Sequence, residues 1–134
     1  MVLRYGYVYG LGRSSQSEAG AVAIFWEQIL RKRTLTNFED GTKIRDSIHF
    51  SKVARVNVNA LERGDHEILN IASGKPTTDY EIFCVVRRTL GVGPLESHYA
   101  PKRPGEIEHT YLDVNKARAK LDWWPEVELR KGVR

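Results

Sequence analysis

Two arginines carry the chemistry this sequence offers. Arg103 stands in the run Ala100-Pro101-Lys102-Arg103-Pro104-Gly105-Glu106. The two prolines fix φ at about −65° and bias the residues before them toward extended backbone. Gly105 frees the chain for a tight turn just after Pro104. The guanidinium is thereby presented on a stiff mount, with the Glu106 carboxylate close behind it. Its planar fork of donors suits a two-oxygen anion such as a phosphate. The competing reading is a solvated surface turn. Arg45 lies beside Asp46 in an alternating stretch, where an arginine ordinarily makes a surface ion pair of little energetic consequence. Taken together, the two arginines could clamp a diphosphate. Phe38 could offer a face to a base, and Glu106 could accept hydrogen bonds from sugar hydroxyls.

That set binds; it does not catalyse. A general base needs a partner within hydrogen-bond reach, and no spacing in the chain nominates one. His49, His66, His98 and His109 show no metal-ligand pattern. Gly10-Leu11-Gly12 follows a strand-like stretch but lacks a third glycine at the dinucleotide spacing, so it reads as an ordinary loop. The single cysteine, Cys84, sits in Ile82-Phe83-Cys84-Val85-Val86 and reads as an inert buried thiol in a protein of the reducing cytoplasm. The formal charge of +4 permits nucleic-acid binding. Its basic residues are scattered, however, and no basic stripe is interleaved with aromatics, which argues against a nucleic-acid partner. No apolar run approaches the ~20 residues of a membrane span. With 41% hydrophobic and 28% charged residues over 134 positions, the chain is a soluble globular unit of one domain at most.

The elements that must position these residues alternate between strand and helix. Val2 to Tyr9 reads as one strand and Gly10 to Ser17 as a loop. Ser17 can cap a helix from Glu18 to Arg33 with Val22, Phe25, Trp26, Ile29 and Leu30 on one face. Leu35 to Phe38 is a short strand, followed by a hairpin-type turn at Glu39-Asp40-Gly41-Thr42. Lys43 to Phe50 alternates as a strand. Ser51 can cap a helix that runs to Arg63 and closes at Gly64. Glu67 to Ala72 is a strand. Thr78 and Glu81 have the capping-box spacing and open a helix ending at Leu90. Glu96 to Tyr99 is a strand leading into the proline loop, and Glu108 to Leu112 is extended. Asp113 can cap a helix over Val114 to Leu121, and Leu129 to Arg134 looks like the beginning of another. The pattern is α/β.

Six collinear stretches are similar to motifs of the NAD-dependent epimerase/dehydratase family of extended short-chain dehydrogenases, and most similar to its UDP-glucose 4-epimerase branch. Leu3 to Gly10 resembles L-R-Y-G-N-V-Y-G, and Glu18 to Phe25 resembles E-A-G-V-V-A-I-F. Phe38 to Asp46 resembles F-G-D-G-T-Q-T-R-D. Asn70 to Gly74 resembles N-I-G-T-G, Tyr99 to Glu106 resembles Y-A-P-x-R-P-G-E, and Leu112 to Ala117 resembles L-D-I-S-K-A. The resemblance covers essentially the whole chain. It implies the C-terminal, substrate-binding part of an extended Rossmann-type dehydrogenase, residues 1–134, with the last strands of the parallel sheet and a small mixed α/β lobe. The family's N-terminal Rossmann domain, with its glycine loop and Tyr-x-x-x-Lys pair, is absent. No tyrosine in this chain is followed four positions later by lysine.

The resemblance therefore implies a UDP-sugar or other nucleotide-sugar substrate, NAD held mainly by the absent domain, and a fragment inactive alone. The whole enzyme would be a cytoplasmic homodimer. By the same resemblance Arg45 and Arg103 contact the diphosphate, Glu106 the ribose, Thr36 and Phe38 the uracil pocket, and Tyr5 the nicotinamide end of the cofactor. Tyr7 stands where the family has a substrate-contacting asparagine. Other departures are Leu11 and Gly12, Glu39, and Phe50-Ser51-Lys52-Val53-Ala54 in place of V-D-D-V-A. A non-catalytic nucleotide-sugar-binding module is the alternative.

Overall fold

A computed structural model of the chain describes residues 1–10, 20–32, 35–38, 41–63, 66–95, 97–101, 104–105, 107–125 and 127–133. The stretch Val2–Tyr9 is two strands rather than one. β1 (Val2–Tyr5) runs parallel to β6 (Ile68–Ile71), and β2 (Tyr7–Tyr9) runs parallel to β5 (Ser47–His49). The change of partner happens at Gly6. Its N–H donates to the Ile71 carbonyl at 2.9 Å, and the next N–H, of Tyr7, donates to the Asp46 carbonyl at 2.8 Å. A Cβ on Gly6 would lie 2.6 Å from that Asp46 oxygen, so only glycine lets the two backbones cross this closely.

The stretch from Lys43 breaks in the same place. β4 (Ile44–Arg45) pairs antiparallel with β7 (Thr77–Thr78), and Asp46 separates it from β5. Phe50, read as the end of this strand, is the first residue of helix α2 (Phe50–Arg63). Gly41 turns with φ +77°; Glu39 and Asp40 lie outside the described residues, and the strands on either side of the nominated turn do not pair with each other. β3 (Leu35–Phe38) pairs in parallel with β8 (Ser97–Ala100), in the register Thr36 to His98 and Phe38 to Ala100. The Gly41 carbonyl instead accepts the Tyr80 N–H at 3.1 Å, at the start of helix α3 (Asp79–Thr89).

The helices follow their apolar faces with local corrections. Helix α1 (Ala21–Leu30) buries Val22, Phe25 and Ile29, while Leu30 is 61% exposed rather than part of that face. The proposed Ser17 cap and the Gly64 stop lie outside the described residues. In α3 the capping box is complete: Thr78 Oγ1 accepts the Glu81 N–H at 3.1 Å and Glu81 Oε2 accepts the Thr78 N–H at 2.7 Å. Ser51 does not cap α2. Because the helix starts a residue earlier, the His49 ring takes the cap position, its Nδ1 lying 2.7 Å from Ser51 Oγ and accepting the Ser51 N–H at 3.4 Å. Helix α4 (Asn115–Leu121) starts one residue late, with the Asp113 carboxylate accepting the Asn115 N–H at 2.9 Å. Helix α5 spans Leu129–Gly132.

Two apolar clusters hold these pieces. One gathers Tyr9, Val22, Phe25, Ile29, Ile82, Phe83, Val86 and Val133 between α1, α3 and α5, with Cys84 half-buried at its rim. The other packs Ile48, Val56, Leu69, Ile71, Ala117, Leu121 and Trp123 between β5, β6, α2 and α4. Among the described residues, no helix is long and apolar enough to cross a membrane.

Candidate functional site

Arg45 is not a surface residue. It is 8% exposed, because β4 is covered on both sides, by β7 and by a bridge from Ile44 to His109. Its Nη1 donates to the carbonyls of Ile107 at 2.7 Å, Ile44 at 3.1 Å and Glu108 at 3.5 Å. The Tyr7 ring lies over the guanidinium, 5.3 Å from centroid to Cζ. A buried arginine is tolerated only when its donors are occupied, and three backbone carbonyls are among the acceptors here. The Ile44 N–H and carbonyl bond the Glu108 carbonyl and the Thr110 N–H at 2.8 and 3.0 Å, so the whole 107–110 segment is stitched to β4.

Asp46 sets the frame for that arrangement. It is fully buried. Oδ1 accepts the Ser73 N–H at 2.7 Å, the Ser73 hydroxyl at 2.6 Å and the Gly74 N–H at 3.2 Å. Oδ2 accepts the Gly74 N–H at 3.0 Å and the Leu112 N–H at 3.2 Å. One side chain thus ties the β4–β5 break to the loop after β6 and to the extended segment before α4. Sequence reasoning treated Asp46 only as the neighbour of Arg45. The signal it offered was an acid in the middle of an otherwise apolar inward-facing row.

The remaining nominated residues fall as follows. Thr36 and Phe38 lie on β3; in the parallel register Phe38 stands opposite Ala100, so β3 and β8 end together where the proline loop begins. Arg103 and Glu106 lie outside the described residues. Gly105 between them has φ +78°, as the turn requires. Ile107, the residue after Glu106, is the one whose carbonyl Arg45 holds most closely. Tyr5 is exposed on β1 and donates its hydroxyl hydrogen to Asn57 Oδ1 at 2.9 Å. The structure therefore brings together Arg45, Tyr7 and the segment that follows the proline loop, and leaves Tyr5 engaged with α2. No proton-transfer pair emerges among the described residues. Burial pushes the Tyr9 hydroxyl up to about 12, which keeps it neutral.

The sequence model of the NAD dependent epimerase/dehydratase family matches residues 1–72. The chain belongs to this family. Of its relatives, a UDP-glucose 4-epimerase of Mycolicibacterium smegmatis is 34% identical over 127 residues, 94% of this chain and 40% of that protein. The crystal structure of Thermotoga maritima UDP-glucose 4-epimerase with UDP-glucose superposes with a TM-score of 0.93 at 40% identity, covering 98% of this chain and 42% of that one. The Thermus thermophilus UDP-glucose 4-epimerase in complex with NAD gives 0.89 at 34% identity, covering 98% and 43%. The chain thus spans about two fifths of the length of these relatives. Its α/β arrangement with parallel strand pairs is that of the epimerase structures.

The sequence holds no glycine-rich phosphate loop between a strand and a helix. Tyr5, the one residue nominated toward NAD, has its hydroxyl committed to Asn57.

Proposed function

We propose that this chain is the nucleotide-sugar-binding part of an NAD-dependent sugar-nucleotide 4-epimerase of the UDP-glucose 4-epimerase type, acting in the cytoplasm on a UDP-sugar. By itself it holds substrate without turning it over. The observation that carries this reading is the buried, carbonyl-anchored Arg45 beside the segment that immediately follows the proline loop. A guanidinium fixed in this way holds its plane when a diphosphate arrives, so that binding energy goes into orienting the sugar. Arg103 and Glu106, on the loop four and one residues before Ile107, would add the second phosphate contact and the ribose contact. Thr36 and Phe38, at the end of β3 beside that loop, would receive the base.

The exposed surface agrees with a part designed to be covered. Val2 and Ile68, register partners on β1 and β6, are both about half exposed, and β1 is paired only with β6 among the described strands. Parallel strands are normally covered on both faces. On the outer side of α2, Val58 and Leu61 are exposed as well, Leu61 at 88%. A cofactor-binding α/β half would bury both surfaces.

Titration calorimetry with UDP-glucose tests the reading. The chain should bind it, and Arg45→Ala, checked for an unchanged circular dichroism spectrum, should bind about tenfold to a hundredfold more weakly, the worth of a charge-assisted hydrogen bond or two. Absence of binding by the wild-type chain would overturn the substrate-site reading. Turnover of UDP-glucose by the chain with NAD alone would overturn its dependence on a second half.

A further inference from the structure

The last helix of the chain is seated on a histidine. Gly132, on α5, packs so closely that a Cβ there would lie 2.5 Å from Tyr9 Oη and 3.0 Å from His49 Cδ2. Glycine lets the helix backbone reach both rings. The next residue, Val133, is buried in the cluster with Tyr9, Phe25 and Phe83. His49 is held from other sides as well. Its ring meets Tyr9 of β2 edge-on, with centroids 5.4 Å apart, and Phe50 of α2 at 4.6 Å. Its Nδ1 accepts the Ser51 N–H at the start of α2. One imidazole thus joins β2, the N-terminus of α2 and α5, and imidazole is the side chain that titrates near neutrality.

We infer that His49 is a pH-sensitive latch: neutral, it caps α2 and seats α5; protonated, it leaves the cap and releases segment 129–133 from the core. The closed arrangement does not suit a cation. The Ser51 hydroxyl, 2.7 Å from Nδ1, can turn its oxygen toward a protonated ring, but the Ser51 N–H cannot, and it would confront Nδ1–H donor to donor. The ring also stands at the positive end of the α2 macrodipole, where a cation is disfavoured. The neighbouring elements add to this. From α2, Lys52 acts on the ring with like charge, and Arg55 follows one turn on. From β2 comes the Tyr9 hydroxyl, kept neutral by burial. The charged residues of α5 are Arg130 and Lys131, with Glu128 before them, and the helix meets the ring through Gly132. Among the described residues, Lys52 is the charge that reaches the imidazole. The Phe50 ring favours a cation, but it lies tilted to the imidazole rather than face-on. Helix α5 is four residues long, too short to hold itself. Its place depends on Gly132 and Val133, so it is the piece that yields.

The experiment is hydrogen exchange of the full chain, followed by NMR. The Gly132 and Val133 N–H groups bond the Glu128 and Leu129 carbonyls at 3.1 Å, so their protection reports the opening of α5. With His49 at its ordinary 6.5 in the opened form, opening grows as pH falls below that value. Between about pH 7.5 and about pH 5.5 the gain is at most about tenfold. After correction for intrinsic exchange, protection of both amides should fall about threefold to tenfold over this range, and that of the buried Val86 in α3 should fall less. His49→Gln, which takes no charge, should show no such fall. Coupling is reciprocal, so in Gly132→Ala, whose added Cβ unseats α5, the His49 titration read from its ring protons should move up toward 6.5. The wild-type series decides without any variant: a fall shared equally by Val86, or no fall at Gly132 and Val133, overturns the inference. An equal fall in His49→Gln does so too, as does an unmoved His49 titration in Gly132→Ala.

Discussion

Replacing Asp46 by asparagine tests the frame of the site most directly, because the change preserves shape and removes only charge and one acceptor. Asp46 is fully buried and accepts hydrogen from the Ser73 N–H, the Ser73 hydroxyl, the Gly74 N–H and the Leu112 N–H. An asparagine has one oxygen. If it faces Ser73, its NH2 group confronts the Gly74 and Leu112 N–H groups, donor against donor. A hydrogen bond to a charged acceptor contributes about 1.5–3 kcal/mol, and a stranded buried donor costs about 1–3 kcal/mol. Losing the Leu112 bond, stranding its N–H and weakening the bonds to Ser73 sums to about 4–6 kcal/mol. Against this, a buried carboxylate costs several kcal/mol of desolvation that the amide escapes in part. The donors win, because all of them are backbone or local groups already held in place. The net loss should be about 2–4 kcal/mol. Urea denaturation reads it: with m of about 2 kcal/mol/M, the midpoint should fall by about 1–2 M at constant m. A midpoint within about 0.3 M of wild type would show that charge burial cancels the bonds, and the claim that Asp46 organises the site would be wrong.

Two further outcomes follow from the same geometry. Burial, then the charge of Lys52, holds the His49 ring below its ordinary 6.5. The unfolded chain then takes up the proton first, so the fold is fully stabilised above 6.5 and loses stability as pH falls from there through the lowered native value. Hydrogen bonds from Lys116 and Lys120 lower Glu67, which extends the loss on acidification below 4.5. Urea midpoints at about pH 7.5, 6.5 and 5.5 should show the His49 step in wild type but not in His49→Gln, and equal slopes in the two proteins would discount it. Gly6→Ala should destabilise by about 1–3 kcal/mol, the usual cost of overpacking, since its Cβ would meet the Asp46 carbonyl oxygen at 2.6 Å. Gly93→Ala, which meets nothing within 4 Å, should melt with wild type; a Gly6→Ala chain that does so too would mean the strands do not cross as closely as described.

What could be read from the sequence was what is decided locally. The Thr78–Glu81 capping box needs only residues three apart, and it forms. Gly91 ends α3 with φ +67° and Gly41 turns with φ +77°, as glycine is there to allow. The burial of Val22, Phe25 and Ile29 follows from helical spacing alone. What escaped was decided elsewhere in the chain. Val2–Tyr9 and Lys43–Phe50 each alternate without interruption, so the alternation itself does not mark Gly6 or Asp46 as a break; the break exists because each strand changes partner there. Arg45 looked like a surface residue because its cover, β7 and His109, is remote in sequence. His49 displaced Ser51 as the α2 cap because strand pairing to β2 ends at His49, and the helix takes over at the next residue. The family motifs nominated Arg45 as a diphosphate contact and marked Tyr7 only as a departure at an asparagine position; its packing against Arg45 came from the fold.

The breaks and the site are one feature. An uninterrupted β4–β5 strand would carry Arg45 and Asp46 on opposite faces, each in an ordinary ladder, with no reason for either to meet the segment at 107–112. Interrupting the strand frees the Asp46 backbone carbonyl to receive the Tyr7 N–H and lets its carboxylate gather Ser73, Gly74 and Leu112. Leu112 fixes one end of the 107–112 segment and the Arg45 contact to Ile107 fixes the other. The 107–112 segment is therefore anchored at its two ends by two adjacent side chains, one cationic and one anionic. Asp46 is satisfied by N–H donors and a hydroxyl, and three carbonyls and an aromatic face are among the contacts of Arg45. The glycine at position 6 makes this possible, because a side chain there would push apart the two backbones whose crossing places Tyr7 over Arg45.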